Sequence, residues 1–529
     1  MLFNLFKKKK NSLSDTWNKI KDEPYEFDSI EFYFKKKKQE SALQLISNKI
    51  INDIDLHELF MFIDRTSSRV GQQYLLNKFF TINTYLSFDS QEKLIKYFNE
   101  NENERKKTRS LLSRLNRHEA YYIPDLFLMP YVQKPKWFWV IRIFSILPLI
   151  ALIATFFIPK MLFPLVLLMI LNLIFHYRNK RNIFVYIDSI PQLLILCDAV
   201  RELTKLNIPT TSDNSVLSSL KSINTIKKSL SIFKSEAKTN DSELAAFALL
   251  VIEYIKIFFL LEPQIVFAAL KKLENKKGDI QTLFEYVGEI DTAISIASLR
   301  ATVPYSCQPV FYNKSKCLNA KDLYHPLITN AVSNTLDIED KSILLTGSNM
   351  SGKTTFIRTI AINVLLAQTI NTAFASAFEL SPMRIFSAIR ISDDLLNDKS
   401  YYMEEVETIK TMISESRSEH RNFFILDEIF KGTNTVERIA AGKAVLSYLS
   451  ANDNIVFVST HDIELATLLS DSFNLYHFTE IVDNNRIHFD YKLKPGMLTT
   501  KNAIRILELN DFPTQIINEA KILSGTLKT

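Results

Sequence analysis

One stretch, Ile343–Arg358, limits what this chain can fold into more than any other. Its sequence, ILLTGSNMSGKTTFIR, runs from apolar residues into a loop framed by two glycines and continues as a helix. Gly347, Gly352, Lys353 and Thr354 fit the spacing G-x-x-x-x-G-K-[ST], in which loop N–H groups and a helix N-terminus face phosphates. The chain has only nine glycines in 529 residues, so two on one loop point to backbone that a Cβ would obstruct. The loop Gly347, Ser348, Asn349, Met350, Ser351 and Gly352, with Lys353, Thr354 and Thr355 opening the helix, is a candidate site for ATP and Mg2+. Lys353 would reach the β- and γ-phosphates, and the Thr354 hydroxyl would hold the Mg2+. The alternative is a glycine turn between strand and helix that binds nothing.

A phosphate loop also needs a strand ending in acidic residues, and Asn422–Glu428, NFFILDE, supplies an apolar run leading into Asp427 and Glu428. This is the pattern of a buried parallel strand with its functional end exposed. Asp427 would take the Mg2+ side, and Glu428 would polarise the attacking water as general base. A third apolar strand, Ile455–Val458, ends in Ser459-Thr460-His461-Asp462. His461 would sense or stabilise the γ-phosphate at the same sheet edge, or else serve as a cap.

The segments GSNMSGKTTFIR, ISDDLLNDKSYYMEEV, FFILDEIFKGTNT, STHD and YKLKPG follow one another in this order. Together they resemble the ATPase domain of the MutS family. Ser392-Asp393-Asp394-Leu395, then Ser400, then Met403-Glu404-Glu405, with Gly432-Thr433-Asn434-Thr435 after the acidic pair, carry the specific part of the resemblance. It implies an α/β P-loop domain with an ABC/MutS-like parallel sheet, ATP hydrolysis, DNA binding and a homodimer in which Ser400 contacts the nucleotide of the partner subunit. It spans roughly residues 323–523, and Leu323-Tyr324-His325-Pro326-Leu327 resembles the family's entry to the sheet, beside the nucleotide base. A weaker match at Leu56–Leu76 extends it to the family's core helices.

A chain this long exceeds one core, so two or three domains are expected. The net charge of +6 is mild, but lysines cluster at Lys7–Lys10 and Lys35–Lys38, as phosphate- or lipid-seeking patches or as solvated faces. Cys197, Cys307 and Cys317 lack metal-ligand spacing and support neither a disulfide framework nor a zinc site, which fits a reducing compartment. Met1–Phe6 is too short for a secretory signal. Asp64 and Arg65 read as a helix-end ion pair. Arg105, Lys106, Lys107, Arg109, Arg114 and Arg117 make a basic stretch, either a nucleic-acid face or an exposed helix.

Between Trp137 and Tyr177 the chain leaves the family pattern. An apolar run Trp137–Ile158, a Pro159-Lys160 break and a second run Met161–Tyr177 have lengths near the roughly 17–25 residues of a spanning helix. Lys134 and Lys136 precede them and Arg178, Lys180 and Arg181 follow, so a transmembrane hairpin would keep both termini cytoplasmic. A hairpin buried in a soluble bundle is the alternative, since Pro148, Pro164 and Asn172 weaken the spans.

The resulting division is a basic segment at 1–40, core-like helices at 41–130, the hairpin at 137–177, core and lever helices at 183–310, the ATPase domain at 320–499 and a C-terminal helix-turn-helix at 500–529. The function expected is a membrane-tethered, dimeric ATPase that binds duplex DNA; the alternative is a membrane-attached ATP-driven switch acting on a protein or lipid. Mismatch recognition is not expected, because only about fifty residues precede the core-like stretch, too few for a recognition domain, and they hold no Phe-x-Glu element. A nuclease tail is not expected either.

Overall fold

The computed structural model describes residues 17–210, 213–230, 251–252, 254–313, 316–338, 340–348, 351–390, 401–483, 486–498, 504, 507–508 and 512–526. They form two units: Met1–Glu40 with Ile63–Asn77 and Ser87–Thr302, and Ser41–Phe62 with Lys78–Leu86 and Val303–Thr529. The segment taken from sequence as 41–130 is thereby divided. Its strand Ala42–Leu45 pairs antiparallel with Thr81–Asn83, and Gln44 exchanges hydrogen bonds with the backbone of Ile385, which ties this N-terminal piece to the second unit.

The first unit is helical. Helix α1, Phe138–Thr155, and a 3-10 turn at Pro159–Met161 lead into α2, Leu162–Leu203, a single helix of 42 residues. The second apolar run therefore continues unbroken into the region of core and lever helices expected from residue 183. Among the described residues, three stretches are long and apolar enough to cross a membrane; Ile183–Leu203 is 72% buried within the protein, whereas Phe138–Thr155 and Pro159–Arg178 are only 22% and 17% buried. Packing accounts for the hydropathy of the first. The other two turn most of their apolar side chains outward, Phe163 the most exposed of them, and Phe156 and Phe157, between the two stretches, are exposed as well.

Asn172 explains how a polar residue is accommodated between these helices. Pro148 lies inside α1 and has no N–H, so the carbonyl of Phe144, one turn earlier, loses its helical donor. The Asn172 amide, fully buried, donates to Phe144 O at 2.9 Å and to Phe258 O at 2.7 Å. The segment after Phe258 breaks at Leu260, in the left-handed region at φ 46°, before the helix Leu261–Leu273. Pro263 sits in that helix's first turn, where a missing N–H is harmless.

Helix α3, Lys277–Thr302, closes the core of this unit. Its buried Asp291 accepts from the backbone N–H groups of Ser67 and Ser68, both at 2.8 Å. Burial disfavours the charge of Arg65, which is favoured by the adjacent Asp64. Asp64 lies fully buried and accepts from Lys21 at 2.8 Å and Gln72 at 2.6 Å, a long-range tie that local sequence does not show. In the basic stretch Glu102–Leu112, Lys106 and Lys107 pair with Glu102 and Glu104, Arg105 stacks over Trp17 and Arg109 is buried. Lys7–Lys10 and residues 231–250 lie outside the described residues.

The second unit is built on a six-stranded sheet. Strands β1 (Ser342–Thr346), β2 (Arg384–Ala388), β3 (Asn422–Asp427), β4 (Ile455–Ser459), β5 (Phe473–His477) and β6 (Lys494–Pro495) lie in the order β6-β5-β1-β4-β3-β2. All neighbours are parallel except β5 and β6. The residues of β1 and β4 are buried throughout, as a parallel strand covered on both faces requires. Helix α4, Lys353–Ile370, follows β1 and is buried along most of its length. Helices α5 (Tyr401–Glu415) and α6 (Thr435–Leu449) contribute Ile409, Met412, Leu446 and Leu449 to the core around Phe424 and Val456. A four-stranded sheet of Val310–Phe311, Ala377–Leu380, Leu318–Leu323 and Asn334–Ile338 completes the unit. Of the C-terminal segment, the helix Thr514–Thr526 is described.

Candidate functional site

Three parallel strands end together, and the site follows from their register. Ser459 pairs with Asp427 on one side and Leu345 on the other, so the residues after β1, β3 and β4 emerge at one sheet edge. Beyond β1 the chain turns through Gly347 at φ 145° and Gly352 at φ 99°. A Cβ on Gly347 would stand 2.7 Å from the Phe478 carbonyl oxygen, so glycine is required there. Gly352 then opens α4 from the left-handed region, aiming the helix N-terminus back across the loop.

Lys353, the first residue of α4, is buried and donates to the carbonyls of Gly347 at 2.7 Å and Ser348 at 2.9 Å. Burial pushes its ammonium down to about 8, against the pull of Asp427 and Glu428. The Thr354 hydroxyl donates to Asp427 Oδ2 at 2.7 Å, and the Ser459 hydroxyl donates to Oδ1. Glu428 Oε1 lies 2.6 Å from His461 Nε2, and its Oε2 lies 2.5 Å from Lys431 Nζ. These donors hold the carboxyl down at about 2, with the His461 contact the largest influence. Lys353 Nζ approaches the same His461 nitrogen at 3.4 Å. Since one ring nitrogen serves one partner, the shorter contact assigns its N–H to Glu428. That nitrogen therefore serves the carboxylate, while Lys353 is held by the Gly347 and Ser348 carbonyls.

The backbone that presents Glu428 is unusual. Glu428 and Phe430 have φ of 56° and 57°, left-handed values that non-glycine residues hold only when the surroundings impose them. Glu405 on α5, itself buried, accepts from the Phe430 N–H, and the Glu428 N–H donates to Ser459 O at 3.0 Å. Arg438 on α6 forms a two-pronged pair with Asp462 at 2.8 and 2.7 Å, fixing the turn that carries His461. Asn434 caps α6 by accepting from the Glu437 N–H at 3.0 Å.

Beside the loop is a cleft of about 380 Å³ lined by residues including Tyr324, His325, Val332, Thr355, Phe356 and Tyr491. Its wall is aromatic and apolar, suited to a flat heterocycle. His325 is driven well below the ordinary imidazole range, to about 4, by burial and then by Arg358. It is therefore neutral and cannot act as a phosphate-binding cation.

Lys353, Thr354, Asp427, Glu428 and His461 are thus gathered at one edge, with Ser348, Ser351 and Thr355 in the loop and first turn. Asn349, Met350, the Ser392–Leu395 run and Ser400 lie outside the described residues. Sequence reasoning did not single out Ser459, Lys431, Arg438 or Tyr491 as parts of the site, nor the support that Glu405 gives the Phe430 turn. It also missed Glu480, whose carboxylate accepts from the Ser348 hydroxyl at 3.1 Å. Their roles arise from tertiary contacts that no spacing announces. Thr354 and Asp427 converge as hard oxygen donors, the set that Mg2+ prefers.

A family model for MutS domain V matches residues 343–528. The chain is 28% identical over 282 residues to a DNA mismatch repair protein MutS of Exiguobacterium sp., covering 51% of this chain and 33% of that protein. It is 26% identical over 267 residues to its counterpart in Thermus thermophilus, covering 50% and 32%. A Roseiflexus castenholzii MutS is 32% identical over 218 residues, covering 39% and 20%. Residues 343–528 match MutS domain V. The chain spans about a third or less of the length of these MutS relatives, and the matched domain V contains every residue at the sheet edge described above.

Proposed function

We propose that this chain binds ATP with Mg2+ and hydrolyses it, and that it works as a homodimer tethered to a membrane by the hairpin Trp137–Tyr177, with both termini cytoplasmic. The observation that carries the reading is the convergence of Lys353, the Thr354–Asp427 pair and the Glu428–His461 pair at one sheet edge. Thr354 and Asp427 would hold Mg2+, which supplies neutralisation of phosphate charge. Lys353 and the N-terminus of α4 bind phosphate oxygens. Glu428 is too acidic to be a strong base; it remains ionised, and its carboxylate orients a water and accepts its proton as bonding to phosphorus develops. His461 holds that carboxylate in place. The aromatic cleft receives the base.

The names of the relatives tie them to DNA mismatch repair, and duplex DNA is the partner proposed here, bound without regard to mismatches. A second reading is a membrane-attached ATP switch acting on a protein or lipid. The pairing and burial of Arg105–Arg109 favour it, because that helix keeps few cations free for phosphates.

Glu428→Gln should bind ATP yet turn over about 10²- to 10⁴-fold more slowly, the usual weight of general base catalysis, whereas Lys353→Ala should lose binding. Wild-type turnover in Glu428→Gln would refute the assignment. Stimulation of the intact protein by plain duplex DNA at physiological salt supports the DNA reading; stimulation by anionic vesicles alone supports the switch.

A further inference from the structure

The nucleotide site is braced by a short piece of chain some three hundred residues away in sequence. Residues Lys49–Asp55 belong to the same unit as the ATPase sheet and grip it at two points. The buried Asp53 carboxylate accepts from the backbone N–H groups of Ile389 at 3.2 Å and Arg390 at 2.9 Å, while Lys49 Nζ donates to the Arg390 carbonyl at 2.9 Å. These contacts pin the exit of β2. Asp55 then joins that exit to the nucleotide helix: Arg390 forks onto both its oxygens at 2.6 and 2.9 Å, and Arg358 on α4 donates to Oδ2 at 3.0 Å.

Arg358 lies one helical turn beyond Thr354, on the same side of α4. Burial and the neighbouring Arg390 disfavour its charge, while Asp55, Asp53 and Asp427 favour it, so it stands within electrostatic reach of the carboxylate that Thr354 contacts. Among the described residues, Asp55 is the carboxylate that bonds both guanidinium groups. It adopts the left-handed region at φ 53°, a conformation that Asp and Asn tolerate better than other side-chain-bearing residues.

We propose that Asp55 is a positioning residue of the ATPase site: by holding Arg358 and Arg390 together it fixes the first turns of α4, and with them Lys353 and Thr354, relative to Asp427 and Glu428. This rests on the ATPase reading above. Without Asp55, two like charges face each other and α4 loses its tie to the β2 exit. The fault falls on alignment of phosphate, metal ligands and water, which matters more in the transition state than in binding. The base cleft shares Thr355 and Phe356 with α4 but takes Tyr324, His325, Val332 and Tyr491 from outside it, and these keep their hold on the nucleotide.

The test uses the full chain. Asp55→Asn keeps the shape and the left-handed tolerance while removing the charge; Arg390→Gln removes the other side of the brace from a half-exposed position. Both should lower kcat about tenfold, change the dissociation constant of a fluorescent ATP analogue by less than threefold, and bind one nucleotide per chain. Asp55→Glu should recover part of kcat. Glu428→Gln, run alongside, separates the two ideas. If it turns over normally, the ATPase reading fails and the brace with it. If it is slow while Asp55→Asn and Arg390→Gln match wild type, or lose nucleotide stoichiometry in proportion to kcat, the brace alone is overturned.

Discussion

Lys353 is the residue at which charge and function meet most directly. Its ammonium is held down at about 8 by burial, and phosphate binds the protonated form. On the ATPase reading proposed above, affinity for ATP should be full below about pH 8 and decline above it, by up to about tenfold per pH unit until the lysine of the complex also titrates. Dissociation constants at pH 7 to 9.5 and constant ionic strength measure this, and a flat profile would contradict it. Glu428 adds no acid limb in that window, because His461 and Lys431 keep it ionised far below neutrality. The placement of Lys353, Thr354, Asp427 and Glu428 was legible in the sequence since a phosphate loop and an acidic strand end obey fixed spacings. Asp55 and Glu405 were not, since each acts through contacts made only after folding.

At the scale of elements, the hairpin carries a compensated defect. Pro148 deprives Phe144 of its helical donor, and Asn172 supplies one from α2. Asn172→Leu keeps similar volume but strands the carbonyls of Phe144 and Phe258, at about 1–3 kcal/mol for each buried group left unsatisfied. Thermal unfolding in detergent should show the loss, and adding Pro148→Ala should recover part of it by restoring a backbone N–H. A single variant as stable as wild type would remove Asn172 from this role. The sequence marked Pro148 and Asn172 as faults in two spans; that one repairs the other depends on how the helices pair. The continuity of α2 was hidden for a related reason: the basic cluster at Arg178–Arg181 reads as a boundary, but arginine and lysine are good helix formers and need not interrupt one.

For the whole molecule, the outward apolar faces of α1 and the first half of α2 lead to a physical expectation. The intact protein should stay with membranes through high salt and carbonate and come free only in detergent, with both termini shielded from protease added outside. Recovery of the full chain in the soluble fraction without detergent would count for a hairpin covered by protein instead. The two-unit division was only partly legible, because residues 41–62 and 78–86 join the ATPase unit through strand pairing and side-chain ties to residues far ahead in the chain. Helix α2 adds a mechanical consequence. Its 42 residues make a shaft about 63 Å long. Pro191 interrupts its hydrogen-bond ladder, so the stiff part runs from Leu162 to Ile190, about 44 Å; tilting that part by about 10° about one end sweeps the other through about 8 Å, so a change in the slant of its outward-facing apolar half becomes a displacement at Pro191.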